Sequence, residues 1–367
     1  MNSGFEPLFA EIPVAHEPLL IAGPCSAESA GNLLSCAKAL KAQDVKYFRA
    51  GLWKPRTRPG AFEGVGATGL SWMKRVKNVT GMKVLTEVGN AAHTSLALKA
   101  GMDGIWLGAR TVANPFAVQE IADELKRLRA TDITVLVKNP VNPDVELWIG
   151  ALERLYAAGI RRLGAVHRGF SSYAPGNWRN PPQWVVPIEL RHRLPNLPLL
   201  PDPSPCSGKA ADVPQLAVKA MKMCFDGLMV ECHTEPCNAL SDAAQQLTPE
   251  QLGSLIKALP KHIVKGCTDD RLQSLRETID SLDAELLQLL AKRMEACRLI
   301  GEYKIEKGLP VVQPQRYAAL LEDKVKEGEK LGLAPDFLHR LFAEIHAASV
   351  DLQLNLPHNI ITPTTHE

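Results

Sequence analysis

The chain lacks a strong charge of either sign. Its formal net charge is +2 over 367 residues, which gives no reason to expect nucleic acid or a membrane surface as a partner. Long apolar runs are missing too: none approaches the roughly 20 residues that span a bilayer. The N-terminus has no basic segment followed by an apolar one, so no signal peptide is expected and a cytoplasmic setting is. Eight cysteines are present, but without the rhythm of a small disulfide scaffold. They read as thiols in a reducing compartment, with one or two open to a metal. Internal repeats and low-complexity segments are absent. The glycine fingerprint of a dinucleotide fold does not follow the first strand, which argues against a doubly wound open sheet. What remains is an ordinary globular composition, 46% apolar and 22% charged, in a chain long enough for two domains.

Residues 1–17 read as an irregular arm. Short apolar runs then recur at Leu19–Ala22, Lys46–Ala50, Lys83–Glu87, Gly104–Leu107, Thr134–Val137, Leu163–Val166, Leu197–Leu200 and Gly227–Val230. Amphipathic stretches such as Phe116–Arg129 and Glu146–Ala158 lie between them. This alternation predicts an α/β fold, a closed (β/α)8 TIM barrel over residues 18–258.

The segment Arg49-Ala-Gly-Leu-Trp-Lys54-Pro55-Arg56-Thr57 follows one such run and presents three cations in a turn stiffened by proline. Other runs end in the same manner. Just past the strand ends stand Cys25, Glu87, Arg110, Lys138, Arg168, Asp202 and Glu231. In a barrel these converge on one rim, where this fold keeps its catalytic groups. A single charge at a strand end is usually structural or solvated. Cations gathered from four strand ends would repel one another unless anions bind among them. Arginine grips phosphate and carboxylate in bidentate fashion and lysine acts as a point charge. Substrates carrying several negative charges, phosphorylated ones, are therefore expected. Cys25, Glu231 and Asp242 add a thiol and two carboxylates, a mixed-softness set suited to a divalent transition metal. On spacing alone, each reads more readily as a buried thiol or a structural carboxylate.

Gly23-Pro-Cys-Ser26, Lys54-Pro-Arg-Thr57, Gly108-Ala-Arg-Thr111, Lys138, His167-Arg-Gly169 and Leu240-Ser-Asp242 fall in order at successive strand ends. Together they resemble the 3-deoxy-D-arabino-heptulosonate 7-phosphate (DAHP) synthases. Octulosonate phosphate synthases share the barrel but typically carry Asn-Arg-Ser where this chain has Pro55-Arg56-Thr57, which favours a four-carbon acceptor. The resemblance implies condensation of phosphoenolpyruvate with erythrose 4-phosphate. Arg49, Lys54, Arg110, Lys138 and Arg168 would hold phosphoenolpyruvate. Pro55, Arg56 and Thr57 would hold erythrose 4-phosphate. A divalent metal (Mn, Fe, Co or Zn) would act as Lewis acid on the aldehyde. Lys54 would protonate the new hydroxyl, with neighbouring cations lowering its pKa toward that task.

One departure bears on that metal. The family's metal site includes a histidine in an Asp-Pro-Ser-His motif, and this chain reads Asp202-Pro-Ser-Pro205-Cys206. Proline offers no side-chain donor. Three outcomes follow: Cys206 supplies a thiolate, the other three ligands hold a weaker metal, or the synthase site is impaired. His233 would point to the same side as Glu231 in a strand, yet family members commonly carry a histidine there without using it as a ligand.

Beyond Lys257 the pattern changes. Pro260 and Gly266 mark a linker over 259–268. Thr268, Asp269 and Asp270 start a helix, and Leu272, Leu275, Ile279, Leu282, Leu286, Leu289 and Leu290 continue it at helical spacing. A helix of nearly 40 residues, on the order of 55–60 Å, needs partners, so antiparallel pairing in a homodimer is expected. Helices over 315–331 and 335–354 follow, then a disordered tail from 357. Leu275-Arg-x-x-Ile279, Leu290-Ala-x-Arg293, Ile300-Gly-x-x-Lys304, Arg316 and Ser349-x-x-x-Gln353 resemble the all-helical chorismate mutases over 269–356. The resemblance implies rearrangement of chorismate to prephenate, which needs a compact conformer and charge stabilisation at the breaking ether oxygen. Arg276 of a partner chain and Arg293 would grip the carboxylates, Lys304 and Gln353 the ether oxygen. Arg316 and Ser349 would complete the pocket. Gln313 stands where aspartate is common and Tyr317 where glutamate often binds the substrate hydroxyl, so weaker substrate binding is expected. The leading expectation is a bifunctional enzyme with feedback of prephenate or chorismate on the barrel. The alternative is an active mutase whose barrel serves as a scaffold.

Overall fold

The structure, a computed structural model, describes residues 4–9, 18–56, 60–173, 176–260 and 270–357. The chain divides into two compact units, 1–265 and 266–367. Thr57, Gly266, Thr268, Asp269 and the tail from 358 lie outside the described residues, as does the arm over 10–17.

The first unit holds eight parallel strands: β1 Leu19–Gly23, β2 Tyr47–Arg49, β3 Lys83–Val88, β4 Gly104–Leu107, β5 Thr134–Lys138, β6 Leu163–His167, β7 Leu199–Pro201 and β8 Gly227–Glu231. Each pairs with the next in sequence, and β1 also pairs with β8. Between β7 and β8 no ladder forms, but the gap is bridged. The Asp226 amide donates to the Leu199 carbonyl at 3.1 Å, and the Leu199 amide donates to Asp226 Oδ2 at 2.8 Å. The barrel is therefore nearly closed. All eight strands lie within two residues of their expected positions. The largest slip is at β7, where Pro198 has no N–H to donate to a ladder.

Strand alternation makes two apolar layers. Phe48, Val84, Val135 and Ala165 face outward under the helices. Ile21, Tyr47, Leu85, Trp106, Leu136, Val166, Leu200 and Met229 fill the interior. Leu8 and Phe9 plug its N-terminal end. The Thr134 hydroxyl donates to the Leu8 carbonyl, and Phe9 stacks on Tyr47 at 4.1 Å. Helix starts carry side-chain caps at Ser29, Asn90, Asn114, Asp144 and Thr248, each satisfying an amide that the first turn leaves open. The helix expected to run to Arg129 spans Pro115–Arg127, and Arg129 turns left-handed at φ 53°.

The second unit holds three helices, Asp270–Glu306, Pro314–Lys330 and Pro335–Leu354. The last packs against both others. Gly301 lets it approach, since a Cβ there would stand 2.8 Å from Gln353 Cγ. Leu275, Ile279, Leu282, Leu286 and Leu289 on the long helix are each more than half exposed within the chain. No helix among the described residues is long and apolar enough to cross a membrane.

Candidate active site

The inward alternation that fills the barrel also builds its rim. Two residues beyond an interior apolar side chain, each strand delivers its next inward group: Tyr47 leads to Arg49, Leu85 to Glu87, Leu136 to Lys138, Leu200 to Asp202 and Met229 to Glu231. Arg49 is wholly buried. Its Nη1 pairs with Asp202 Oδ2 at 3.2 Å and its Nη2 with Glu231 Oε1 at 3.5 Å. Its guanidinium lies 4.9 Å from the Trp106 ring centroid. Burial pulls the Arg49 pKa down, but Asp202 and Glu231 outweigh it and raise it. Lys138 Nζ meets the same Asp202 oxygen at 2.8 Å. Arg49 Nε and Asp202 Oδ1 remain buried with no hydrogen-bond partner, at a cost that a bound ligand would relieve.

Lys54 Nζ donates to the Cys25 carbonyl at 3.1 Å and lies 3.6 Å from Glu87 Oε2. Gly108 leaves room for that carboxylate, since a Cβ there would stand 2.2 Å from Glu87 Oε1. Burial pulls the Lys54 ammonium down, but the Cys25 sulfur and the Glu87 and Glu231 carboxylates pull it up and win. The expectation of a lowered lysine is thus corrected: the Cys25 sulfur and two carboxylates outweigh the neighbouring Arg49 cation. Pro55 is exposed. Arg56 donates from Nε to the Phe62 carbonyl at 2.9 Å, and its Nη1 lies 3.6 Å from Asp242 Oδ2. The Arg168 amide donates to Asn139 Oδ1 at 2.7 Å and its Nη1 to Asn180 Oδ1 at 2.9 Å. Burial lowers its pKa. Arg110 sits exposed in the short helix Ala109–Val112, near enough to act on Arg168 electrostatically.

Cys25 and Asp242 do meet, with Sγ donating to Oδ2 at 3.1 Å. Burial, then Glu231, pushes the Cys25 thiol up to about 12. Burial opposes ionisation of Asp242, but hydrogen bonds from Arg179 and Cys25 hold it well below the usual carboxylate range. Both Glu231 oxygens are engaged, Oε1 by Arg49 and Oε2 by Gln245 Nε2 at 2.7 Å. Asp242 has Arg179 Nη1 on Oδ1 at 2.9 Å. Pro205 is buried, and its carbonyl accepts from Asn180 Nδ2 at 2.5 Å. Among the described residues, no three His, Cys, Asp or Glu side chains are placed to hold a metal ion. The donors are turned toward protein partners, so this set does not fit a divalent ion. Cys206 does not repair it. Its buried thiol has Arg168, Asp202 and Lys138 as electrostatic neighbours, and burial raises its pKa. His233 is engaged elsewhere, with Nε2 3.8 Å from Glu28 and Nδ1 accepting from the Glu235 amide.

Sequence reasoning missed Arg179, Asn139, Asn180 and Gln245. Arg179 and Asn180 lie in the long loop after β6, and no spacing marks them. Asn139 follows Lys138 directly, and a polar residue beside a rim cation is the one signal that could have drawn notice.

In the helical unit, Arg293 Nη1 donates to Ser349 Oγ at 2.7 Å. Lys304 Nζ donates to Gln353 Oε1 at 3.2 Å and to the Val311 carbonyl at 2.6 Å. Ser349 and Gln353 are buried. These four side chains make two hydrogen-bonded pairs, with Ser349 and Gln353 one turn apart on the last helix. Arg316 and Arg276 are exposed, and Arg276, 17 residues before Arg293, lies about 25 Å away along the helix. Tyr317 stacks on His346 at 4.0 Å.

A nearly closed barrel with a cationic rim, followed by a three-helix unit whose Arg293 and Lys304 bond Ser349 and Gln353, defines a chain of two enzyme domains. The chain belongs to the DAHP synthetase I family, whose model matches residues 14–265, and continues as chorismate mutase type II over 275–354. It resembles phospho-2-dehydro-3-deoxyheptonate aldolase of Thermotoga maritima, with 31% identity over 243 residues, 66% of this chain and 69% of that one. The solved structure of the Thermotoga DAHP synthase superposes with a TM-score of 0.58 at 28% identity, covering 65% of this chain and 67% of that one. The helical unit resembles the T-protein of Enterobacter agglomerans, 43% identical over 74 residues, which are 20% of each chain. Two enzyme domains of aromatic biosynthesis therefore share one chain, one of the 3-deoxy-7-phosphoheptulonate synthase kind and one of the chorismate mutase kind.

Proposed function

We propose that the barrel condenses phosphoenolpyruvate with erythrose 4-phosphate, and that the helical unit converts chorismate to prephenate. The observation that carries the first half is the unbalanced rim. The cations Arg49, Lys54, Arg56, Lys138, Arg168 and Arg179 outnumber the carboxylates Glu87, Asp202, Glu231 and Asp242, and buried polar atoms beside them lack partners. Arg49, Lys138, Arg168 and Arg110 receive the phosphoenolpyruvate phosphate and carboxylate. Pro55, Arg56 and Thr57 receive the sugar phosphate.

Carbon 3 of phosphoenolpyruvate bonds to the aldehyde carbon, and the carbonyl electron pair moves onto oxygen. Lys54, kept as an ammonium by its carboxylates, protonates that oxygen. Water adds at carbon 2, the bond from carbon 2 to the phosphate oxygen breaks, and a keto group remains. Of the two water protons, one leaves on phosphate and one restores Lys54. No step of this reading passes through a divalent ion, because the donor set does not fit one.

Arg293 and Ser349 bind chorismate carboxylate, and Lys304 with Gln353 faces the breaking ether bond. Arg276 reaches this pocket from a second copy, paired along the exposed leucine stripe of the long helix. Prephenate bound there feeds back on the condensation. A second reading leaves the barrel as a binding scaffold beside an active mutase, and Pro205 is the observation that favours it.

One experiment separates the two. Both rates are measured on the full chain and on Lys138→Ala and Arg293→Ala variants. Lys138→Ala should cut condensation at least 100-fold and spare the mutase, and Arg293→Ala should do the reverse, by the scale of a lost transition-state donor. Mutase turnover with no condensation under any metal addition would establish the scaffold reading instead.

A further inference from the structure

The cluster around Asp242 already holds a cation. Arg179 Nη1 stands 2.9 Å from Asp242 Oδ1 and 2.8 Å from Gln245 Oε1. Gln245 in turn donates from Nε2 to Glu231 Oε2 at 2.7 Å. Asp242 Oδ2 accepts from Cys25 Sγ at 3.1 Å. One guanidinium is thus joined to all three side chains expected to ligate a metal, directly to Asp242 and through one intermediary to Glu231 and to Cys25.

The segment that lost its donor is the segment that positions this guanidinium. The Asn180 amide donates to the Cys206 carbonyl at 3.0 Å, and Asn180 Nδ2 donates to the Pro205 carbonyl at 2.5 Å. The Arg179 amide reaches the Ser207 carbonyl at 3.4 Å. Gly208 turns left-handed at φ 72°, and a Cβ on it would stand 2.6 Å from Arg179 Cβ. The backbone of 205–208 therefore holds Arg179 where its side chain crosses to Asp242. Both side-chain bonds fall on Nη1, a guanidinium carries five N–H donors, and 53% of the side chain is exposed at the rim.

We propose that condensation on this chain runs without a divalent ion, and that Arg179 supplies the positive charge that polarises the acceptor aldehyde. This deepens the synthase reading above and rests on it. Arg56 pairs with the same Asp242 from the proposed acceptor side, and Lys54 approaches from the Cys25 side. The aldehyde oxygen between them accepts an Arg179 N–H while carbon 3 of phosphoenolpyruvate attacks. The oxygen then takes its proton from Lys54, and Arg179 keeps its own.

The test uses the purified full chain. After incubation with manganese or cobalt and desalting, retained metal is counted by mass spectrometry, and thiolate-to-cobalt absorption is recorded. Condensation is assayed with and without chelator, on the unmodified chain and on Arg179→Met and Arg179→Lys. The expected result is far less than one metal per chain, no cobalt–thiolate band, and a rate that chelator leaves unchanged. Arg179→Met should lower kcat for condensation about 100-fold, with KM for phosphoenolpyruvate and mutase turnover unchanged. Arg179→Lys should recover part of that loss. One retained metal per chain with a chelator-sensitive rate would overturn the inference and leave the synthase reading standing. An unchanged kcat in Arg179→Met would also overturn it. Absence of condensation at every metal level would bring down both.

Discussion

At the scale of single residues, the barrel rim concentrates buried charge whose partners are few and specific. Arg49 spans Asp202 and Glu231 with two nitrogens of one planar group. Lysine has the charge without the fork, so Arg49→Lys should lower condensation at least tenfold. Arg49→Met takes one partner from each of two buried carboxylates, which keep Lys138 and Gln245, and should cost the barrel about 3 kcal/mol, read as an earlier unfolding transition in denaturant. His167 makes a different prediction. It sits among Trp148, Phe170 and Trp184, with ring centroids 5.3–6.3 Å away, and burial pushes its imidazole from 6.5 down to about 3. The fold keeps it neutral, whereas the unfolded chain takes up a proton below its ordinary value. Between those two values the unfolded state binds more protons, so stability falls as pH falls, by roughly 1.4 kcal/mol per unit. Stability is fully present above pH 6.5. Denaturant titrations from pH 7 to 4 should show a slope that His167→Phe makes shallower, and equal slopes would rule out this histidine as the source. The sequence placed Arg49, Lys54, Lys138 and Arg168 at the rim because each ends or follows an apolar run. Arg179 escaped notice because a loop residue carries no period.

At the scale of elements, the strands were legible because a buried parallel strand is a short apolar run with turn residues on both sides. Their ends moved by a residue or two where a rim side chain such as Lys138 or Glu231 still sits within the ladder. The long helix was legible from its leucine spacing and its lack of proline. Its exposed stripe is the clearest unmet demand in the chain. Leu282 and Leu286 are 57% and 51% exposed, and covering such a side chain is worth about 1.5–3 kcal/mol. If the stripe pairs two copies, Leu282→Glu with Leu286→Glu should turn a dimer into a monomer in sedimentation. It should also lower mutase turnover, because Arg276 would no longer arrive from the partner. A dimer of unchanged strength would move the interface elsewhere.

At the scale of the whole molecule, two compact units lie on one chain. If product bound to the helices reports to the barrel, saturating prephenate should change the condensation rate and the solution scattering curve of the full chain. Constancy of both would end that idea. The sequence by itself determined the two-domain plan, the eight-strand alternation and most of the cations at the rim, since these follow from hydrophobic period and from which residue comes next along a strand. It also determined that Pro205 offers no ligand. Only the tertiary structure decided how the charges pair. Cys25, Glu87 and Glu231 come from other strands to raise Lys54, burial raises the Cys206 thiol, and a loop arginine closes on Asp242. The reason is physical. Period and spacing describe neighbours along the chain, whereas the ionisation and partners of a buried group depend on charges a few ångströms away that arrive from distant segments.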